Sequence, residues 1–581
     1  MASIGKRALA AAAVASMAAT LAACGGGGGN GDNSNAGDAA KSGSKGGTLY
    51  YYINKPVEHV DPQRVYVGRD ISNLNRTVYR GLVSFPADTD PDVANKPVPD
   101  LATNTGEKNA DATQWKFTIK DGVKWQDGKQ ITCADFKYGA SRTFATDVIT
   151  GGPNYILSYL DLPEGKDGLP SYTGPYTSSA AGKAAFDKAI TCSGNTITYN
   201  FKKPWPDFPL AVAALHMMDP YRQDKDQGDR SNFQIFSNGP YKLEGAWSKN
   251  KGATLVRNDQ YDASTDSTEI RKALPDEIVF DIGKSPETIA DQLIADGGND
   301  KFAVTGERVP PAYFARLTGA IADRAVNVQS PFVDYVLPNF KKMTNPKVRE
   351  ALAMAANTKG WIDAGGGSRS YAEAKSIVNP SVVGYQANPA FTAPASGDPA
   401  AAKKLLQEAG VTTPYPITFT YPKTDTADKQ AAALQATWNK AGFKVSLDPQ
   451  GDTYYDVIQK PSNDADVIWG GWGADWPSAI TVTPPLFDSR INLTKNSTGQ
   501  DYGNYKSDDF NKIVDQAQSA TDLSDQTSAL QAADEQLGKD YAYIPLESQK
   551  FNFLRGSKVT GYNNTPASAM YPDLGPISLE K

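Results

Sequence analysis

The sequence predicts an α/β protein with more than one lobe. Three observations lead there: helices and strands alternate along residues 398–472, tight turns between alternating runs mark residues 115–201, and 581 residues are enough for several domains. In the earlier stretch, Trp115, Phe117 and Ile119 alternate with Lys116, Thr118 and Lys120. The turns Asp121-Gly122 and Asp127-Gly128 flank Val123, Lys124 and Trp125, which predicts antiparallel hairpins. Cys192, Ser193, Gly194 and Asn195 lead into another alternating run, 196–201. In the later stretch, Asp398-Pro399 reads as a helix cap followed by Pro at the first helical position. Ala402, Leu405, Leu406 and Ala409 then form one apolar face before Gly410. Ile417, Phe419 and Tyr421 alternate with Thr as a strand, and residues 427–441 return to helix with Leu434 and Trp438 four apart. Phe443, Val445 and Leu447 give a further strand, Tyr454 to Val457 a short helix, and residues 465–469 a buried strand. No repeat of solenoid period occurs.

The first residues have the layout of a bacterial export signal, with Lys6 and Arg7 ahead of a mostly apolar run, 8–19, and small residues before Cys24. That run is shorter than the ~20 residues of a spanning helix, and no later segment supplies one, so the body is expected to be soluble. Leu21, Ala22, Ala23 and Cys24 resemble the lipobox of bacterial lipoproteins, in which the Cys carries a diacylglyceryl anchor. An ordinary cleaved signal with an incidental Cys is the alternative. Residues 1–23 are read as the signal and 24–45, rich in Gly, Asn, Ser and Asp, as a lipid-anchored flexible tether.

Composition is that of a globular chain with a large core, 40% hydrophobic and 21% charged. The formal net charge is −6, or −8 without Lys6 and Arg7, and no basic stripe is present, which disfavours nucleic acid as a partner. With Cys24 assigned to the lipid, Cys133 and Cys192 remain in an oxidising compartment. The even remainder suggests one disulfide, with two buried free thiols as the alternative.

From Gly46 almost to the C-terminus the chain resembles the family 5 extracellular solute-binding proteins, the peptide, dipeptide and nickel-binding components of ABC importers. The residues that carry the resemblance begin with His59-Val60-Asp61-Pro62, Tyr79-Arg80-Gly81-Leu82, and Trp115 through Asp127-Gly128. They continue through Ile131-Thr132-Cys133-Ala134-Asp135-Phe136, Arg142, Asn238-Gly239-Pro240-Tyr241 and Arg257-Asn258-Asp259-Gln260-Tyr261. Asn345-Pro346-Lys347-Val348-Arg349-Glu350-Ala351-Leu352, Ala402-Lys403-Lys404-Leu405-Leu406 through Gly410, and Trp472-Gly473-Ala474-Asp475-Trp476-Pro477 complete the series. Arg80, where many members have Glu, and Cys133, where Ala is common, depart from the pattern. The resemblance implies a two-lobed periplasmic-binding-protein-like fold, type II, in its large three-domain variant with a hairpin-rich inserted domain. Lobe I would comprise 46–83, 205–331 and 550–581, the inserted domain 84–204, and lobe II 332–549. Cys133 and Cys192 both fall in the inserted domain, which favours their pairing. The implied function is an extracellular lipoprotein, a monomer on the outer face of the bacterial cytoplasmic membrane, that captures oligopeptides between the lobes and delivers them to a permease and its ATPase subunits. It would use no cofactor and no metal.

Asp475 matches the family position whose carboxylate receives the α-ammonium of bound peptides, through charge-assisted hydrogen bonds worth ~1.5–3 kcal/mol each. Without that match, an Asp beside Trp and Pro reads as a solvated turn residue. Trp472 and Trp476 flank it and offer apolar faces to side-chain pockets, while Trp469, in the predicted buried strand, reads as core. Gly470, Gly471 and Gly473 permit close backbone approach, so an extended peptide can pair here as an added strand. On the other lobe, Tyr66, Val67 and Gly68 stand at about the family spacing for a segment touching the ligand backbone. Some members place a basic residue three positions before the motif Trp, to meet the ligand carboxylate. Here that position is Trp469, and Arg369, Lys341 and Lys342 are the candidate replacements.

Enzyme readings fare poorly. Ser248 and Lys251 have Ser-x-x-Lys spacing but no Lys-Thr-Gly partner follows, and the only two His, His59 and His216, lie in no serine-hydrolase motif. Gly365 to Gly367 lack a Walker lysine. A sensory or adhesive surface protein on the same fold is a third class. Oligosaccharide, nickel-chelate and haem remain alternative ligands, since one fold hosts many functions.

Overall fold

The computed structural model describes residues 43–165 and 168–581. The leader, Cys24 and the tether up to residue 42 lie outside them. Among the described residues, no helix is long and apolar enough to cross a membrane.

Three sheets organise the chain. A five-stranded sheet runs in the order Ala303–Thr305, Thr48–Ile53, Glu277–Ile282, Gly252–Arg257, Tyr241–Ser248. Its strand Glu277–Ile282 reads EIVFDI, and Ile278, Phe280 and Ile282 turn inward, as period-two alternation requires. A six-stranded sheet runs Tyr371–Glu373, Ile544–Leu554, Ala325–Pro338, Val467–Gly473, Tyr415–Pro422, Phe443–Gln450. A four-stranded sheet, Glu107–Lys108, Gln114–Thr118, Thr196–Asn200 and Ile190–Ser193, lies wholly within residues 84–204.

The elements expected between 398 and 472 are present. Asp398 accepts from the backbone N–H groups of Ala400 and Ala401 and so starts helix Pro399–Glu408. Thr424 caps helix Asp425–Ala441 by accepting from Ala427 N–H, and Gly442 ends it at φ 104°, a left-handed conformation that a residue without Cβ adopts freely. Leu434 and Trp438 bury that helix against the sheet. Trp438 meets Phe419 edge-on at 5.6 Å and donates its indole N–H to the Leu352 carbonyl. The strand expected at 465–469 is Val467–Gly473, so it carries the three glycines within the ladder.

One expected hairpin is replaced. Strand Gln114–Thr118 pairs across a long sequence gap with Thr196–Asn200, in the register Trp115↔Tyr199 and Phe117↔Ile197, instead of folding back at Asp121-Gly122. That partner brings Ile197 and Tyr199, both fully buried, to the core, which the short run 123–125 cannot match. The second turn closes as expected, with a bridge between Lys124 and Gln130 around Asp127-Gly128. Cys133 opens helix Cys133–Arg142, Cys192 lies in strand Ile190–Ser193, and a disulfide joins them at a Cα separation of 5.9 Å.

Several family stretches serve the core. Arg142 pairs with Asp61 at 2.5 Å and with Asp226 at 3.1 Å, all three buried. The departure at Arg80 is compensated in the same way: buried Arg80 and Arg271 both bond Asp100 at 2.7 Å. Burial opposes the Asp100 charge, but Arg271 and Arg80 outweigh it and hold the carboxyl down to about 2.

Candidate functional site

Asp475 follows strand Val467–Gly473 in a loop that is laced to itself. The Thr481 hydroxyl accepts the Asp475 backbone N–H at 3.1 Å, and the Thr481 carbonyl accepts the Trp472 indole N–H at 2.8 Å. Trp476 turns the other way. Its ring is 2% exposed, its N–H donates to the buried Asp207 carboxylate at 2.5 Å, and it lies 6.3 Å from Trp205. With its neighbours fixed on either side, the Asp475 side chain is held at the wall of a cavity of about 310 Å³. Val67, Ile71, Phe85, Leu215, Phe332 and Met570 make that wall largely apolar, and Asp475 is the one charged residue on it among the described residues.

The carboxylate meets two hydroxyls. Tyr66 donates to its Oδ2 at 2.8 Å, and Tyr155 donates to the same oxygen. The Tyr155 ring stands edge-on to Trp476 at 4.7 Å. Among the described residues no Lys, Arg or His lies within ion-pair distance of Asp475. Burial therefore raises its carboxyl above the ordinary range, and the two tyrosine hydrogen bonds oppose but do not cancel that effect. The same burial, with the Asp475 charge beside them, pushes both phenols well above their usual value, so they stay protonated donors.

Of the residues singled out in the sequence, Tyr66, Gly68, Gly473, Asp475 and Trp476 all border this cavity. Trp472 and Gly471 are close in sequence but do not line it. The glycines have a packing role of their own. A Cβ at Gly470 would come within 2.5 Å of the Tyr335 ring, one at Gly471 within 2.6 Å of the Asp334 carboxylate, and one at Gly473 within 2.7 Å of the Phe332 ring. Strand Ala325–Pro338 thus needs glycine opposite its large side chains. Trp469 is half-buried, with its carbonyl accepting from the Tyr454 hydroxyl. Strand Tyr415–Pro422 pairs with this strand only at Val467 and Ile468, which leaves the edge from Trp469 to Gly473 without a strand partner among the described residues.

The candidate carboxylate-binding cations do not reach the cavity. Lys342 bonds Asp464 and Asp466, Arg369 lies over the Phe314 ring at 4.8 Å, and Lys341 is exposed. Tyr155 and Thr481 escaped the sequence reading. Tyr155 sits in a long irregular connection with no periodic pattern around it, and Thr481 acts through a backbone loop whose geometry only the fold reveals.

Residues 96–493 match the family of bacterial extracellular solute-binding proteins, family 5. The chain belongs to that family. The family 5 assignment makes it a solute-binding protein and not an enzyme, as the sequence predicted. It is 25% identical over 523 residues to the periplasmic oligopeptide-binding protein OppA of Salmonella typhimurium, covering 86% of each chain. To the oligopeptide-binding protein OppA of Bacillus subtilis it is 25% identical over 499 residues, covering 79% of this chain and 80% of the other. Among solved structures, an oligopeptide-binding protein named for clavulanic acid biosynthesis superposes with a TM-score of 0.82 at 24% identity, over 93% of this chain and 96% of that one. The unliganded open form of the murein tripeptide-binding protein MppA gives 0.70 at 20% identity, over 93% and 99%. These likenesses establish the two-lobed, type II binding-protein fold.

Proposed function

We propose that this family 5 protein captures oligopeptides with a free N-terminus and hands them to the permease of an ABC importer, with Asp475 receiving the ligand's ammonium. The observation that carries this reading is a half-buried carboxylate without a cation, set as the single charge on an otherwise apolar cavity wall. Such a group is costly alone and favourable once an ammonium meets it. Relatives named as oligopeptide-binding proteins support the ligand class. The open strand edge from Trp469 to Gly473, which includes Gly471 and Trp472, and the segment of Tyr66 and Gly68 would provide main-chain and side-chain contacts for an extended ligand, with Trp476 bordering the cavity beside them.

In this reading lobe I comprises 46–83, 205–331 and 550–581, the inserted domain 84–204, and lobe II 332–549. Strands Ala325–Pro338 and Ile544–Leu554 run across both boundaries, and their ladder is irregular between Gln329 and Val333, where a hinge would bend. Cys24 would anchor the monomer by lipid to the outer face of the cytoplasmic membrane, with the tether giving it reach.

Native mass spectrometry of the protein extracted from its host's membranes reads both parts of this proposal. The expected result is a co-purified peptide, together with a diacylglyceryl mass on the peptide that begins at Cys24. A retained sugar, metal chelate or haem would replace the peptide reading, and an unmodified Cys24 would remove the anchor.

A further inference from the structure

Both hydroxyls that reach Asp475 converge on one oxygen. Tyr66 and Tyr155 donate to Oδ2, and no protein side chain among the described residues donates to Oδ1. The two tyrosines come from separate parts of the chain. Tyr66 stands just ahead of helix Gly68–Thr77, and Tyr155 immediately precedes helix Ile156–Tyr159. Tyr155 is seated by its edge-on contact with Trp476, which is itself fixed by Asp207. The carboxylate is therefore gripped on one side by groups from two distant segments.

We propose that Tyr66 and Tyr155 are positioning residues for ligand binding: they fasten Oδ2 of Asp475 and present Oδ1 to the ligand's ammonium. This rests on the reading of Asp475 as the ammonium site. A carboxylate that rotates freely loses directional contacts, whereas one held at a single oxygen offers the other in fixed geometry. Donors to the charged form also favour ionisation. Burial alone raises this carboxyl, and the two hydroxyls are the groups that oppose it. Among the described residues, the charged and titratable groups around Asp475 are these two phenols, with the Asp207 carboxylate beyond Trp476. Removing one hydroxyl should thus weaken ammonium binding and move its loss to higher pH.

The test uses calorimetry between pH 5 and 8 with a panel of free-amine tripeptides with apolar first residues. The tightest binder is compared with its N-acetylated form on wild type, Tyr66→Phe and Tyr155→Phe. Phenylalanine keeps the ring, and at position 155 the contact with Trp476, so a purely structural role leaves the pH profile unmoved. The expected result for each variant is about tenfold weaker binding of the free amine, corresponding to about 1.4 kcal/mol. Binding of the acetylated peptide should change little, and the acid limb should shift upward by about one pH unit. Wild-type affinity and pH profile in both variants, with acetylation still costly in wild type, would overturn the positioning role while sparing the ammonium site. No cost of acetylation in wild type, or no binding of any tripeptide, would overturn the reading beneath it and the proposal with it.

Discussion

Gly470 illustrates how a single hydrogen atom shapes the site. Its missing Cβ would stand 2.5 Å from the Tyr335 ring, which is 1% exposed and has little room to retreat. Gly470→Ala is expected to destabilise the fold by about 1–3 kcal/mol through overpacking. Urea denaturation checks this, and an unchanged midpoint would show that Tyr335 yields freely. Asp475 poses the opposite problem, a group that the fold keeps at a cost. Its carboxyl is raised by burial, so the folded chain holds a proton at pH values where the unfolded chain has lost it. Its effect on stability therefore worsens as pH rises through that window, and a bound ammonium would reverse the sign by favouring the charged form.

At the scale of elements, the disulfide joins the first turn of helix Cys133–Arg142 to strand Ile190–Ser193 and closes a loop of 59 residues. Replacing both cysteines by alanine is expected to cost about 2–4 kcal/mol of stability. Peptide affinity should stay within about threefold of wild type, because neither residue lines the cavity. Thermal unfolding and calorimetry on the same sample check both halves. Elements with strong local signals were legible in the sequence: helix Pro399–Glu408 announces itself through Asp398-Pro399, and strand Tyr415–Pro422 through alternating apolar residues. The pairing of Gln114–Thr118 with Thr196–Asn200 was not, because a strand's partner depends on which distant surface buries its apolar face best. Asp475 was legible only through a family motif, since its own neighbourhood reads equally well as a turn. Tyr155 reaches it across 320 positions, a separation that local pattern cannot bridge.

Across the whole molecule, one apolar cluster joins residues of the 84–204 segment, among them Phe117 and Tyr199, to Trp476, Phe487 and Tyr543 of the 332–549 segment. The site therefore lies where separate parts of the chain meet, as ligand clefts commonly do. In the proposed function a ligand ammonium completes the Asp475 carboxylate. Calorimetry in a two-by-two design reads this pairing, with wild type and Asp475→Ala each binding the peptide recovered from the protein and its N-acetylated form. Removing one partner of a buried ion pair costs about 3–5 kcal/mol, or about two to three and a half decades of affinity. A loss of that order is expected from either change alone, and little further loss when acetylation is added to Asp475→Ala. Affinities that stay within about threefold of wild type after both the substitution and the acetylation would contradict it.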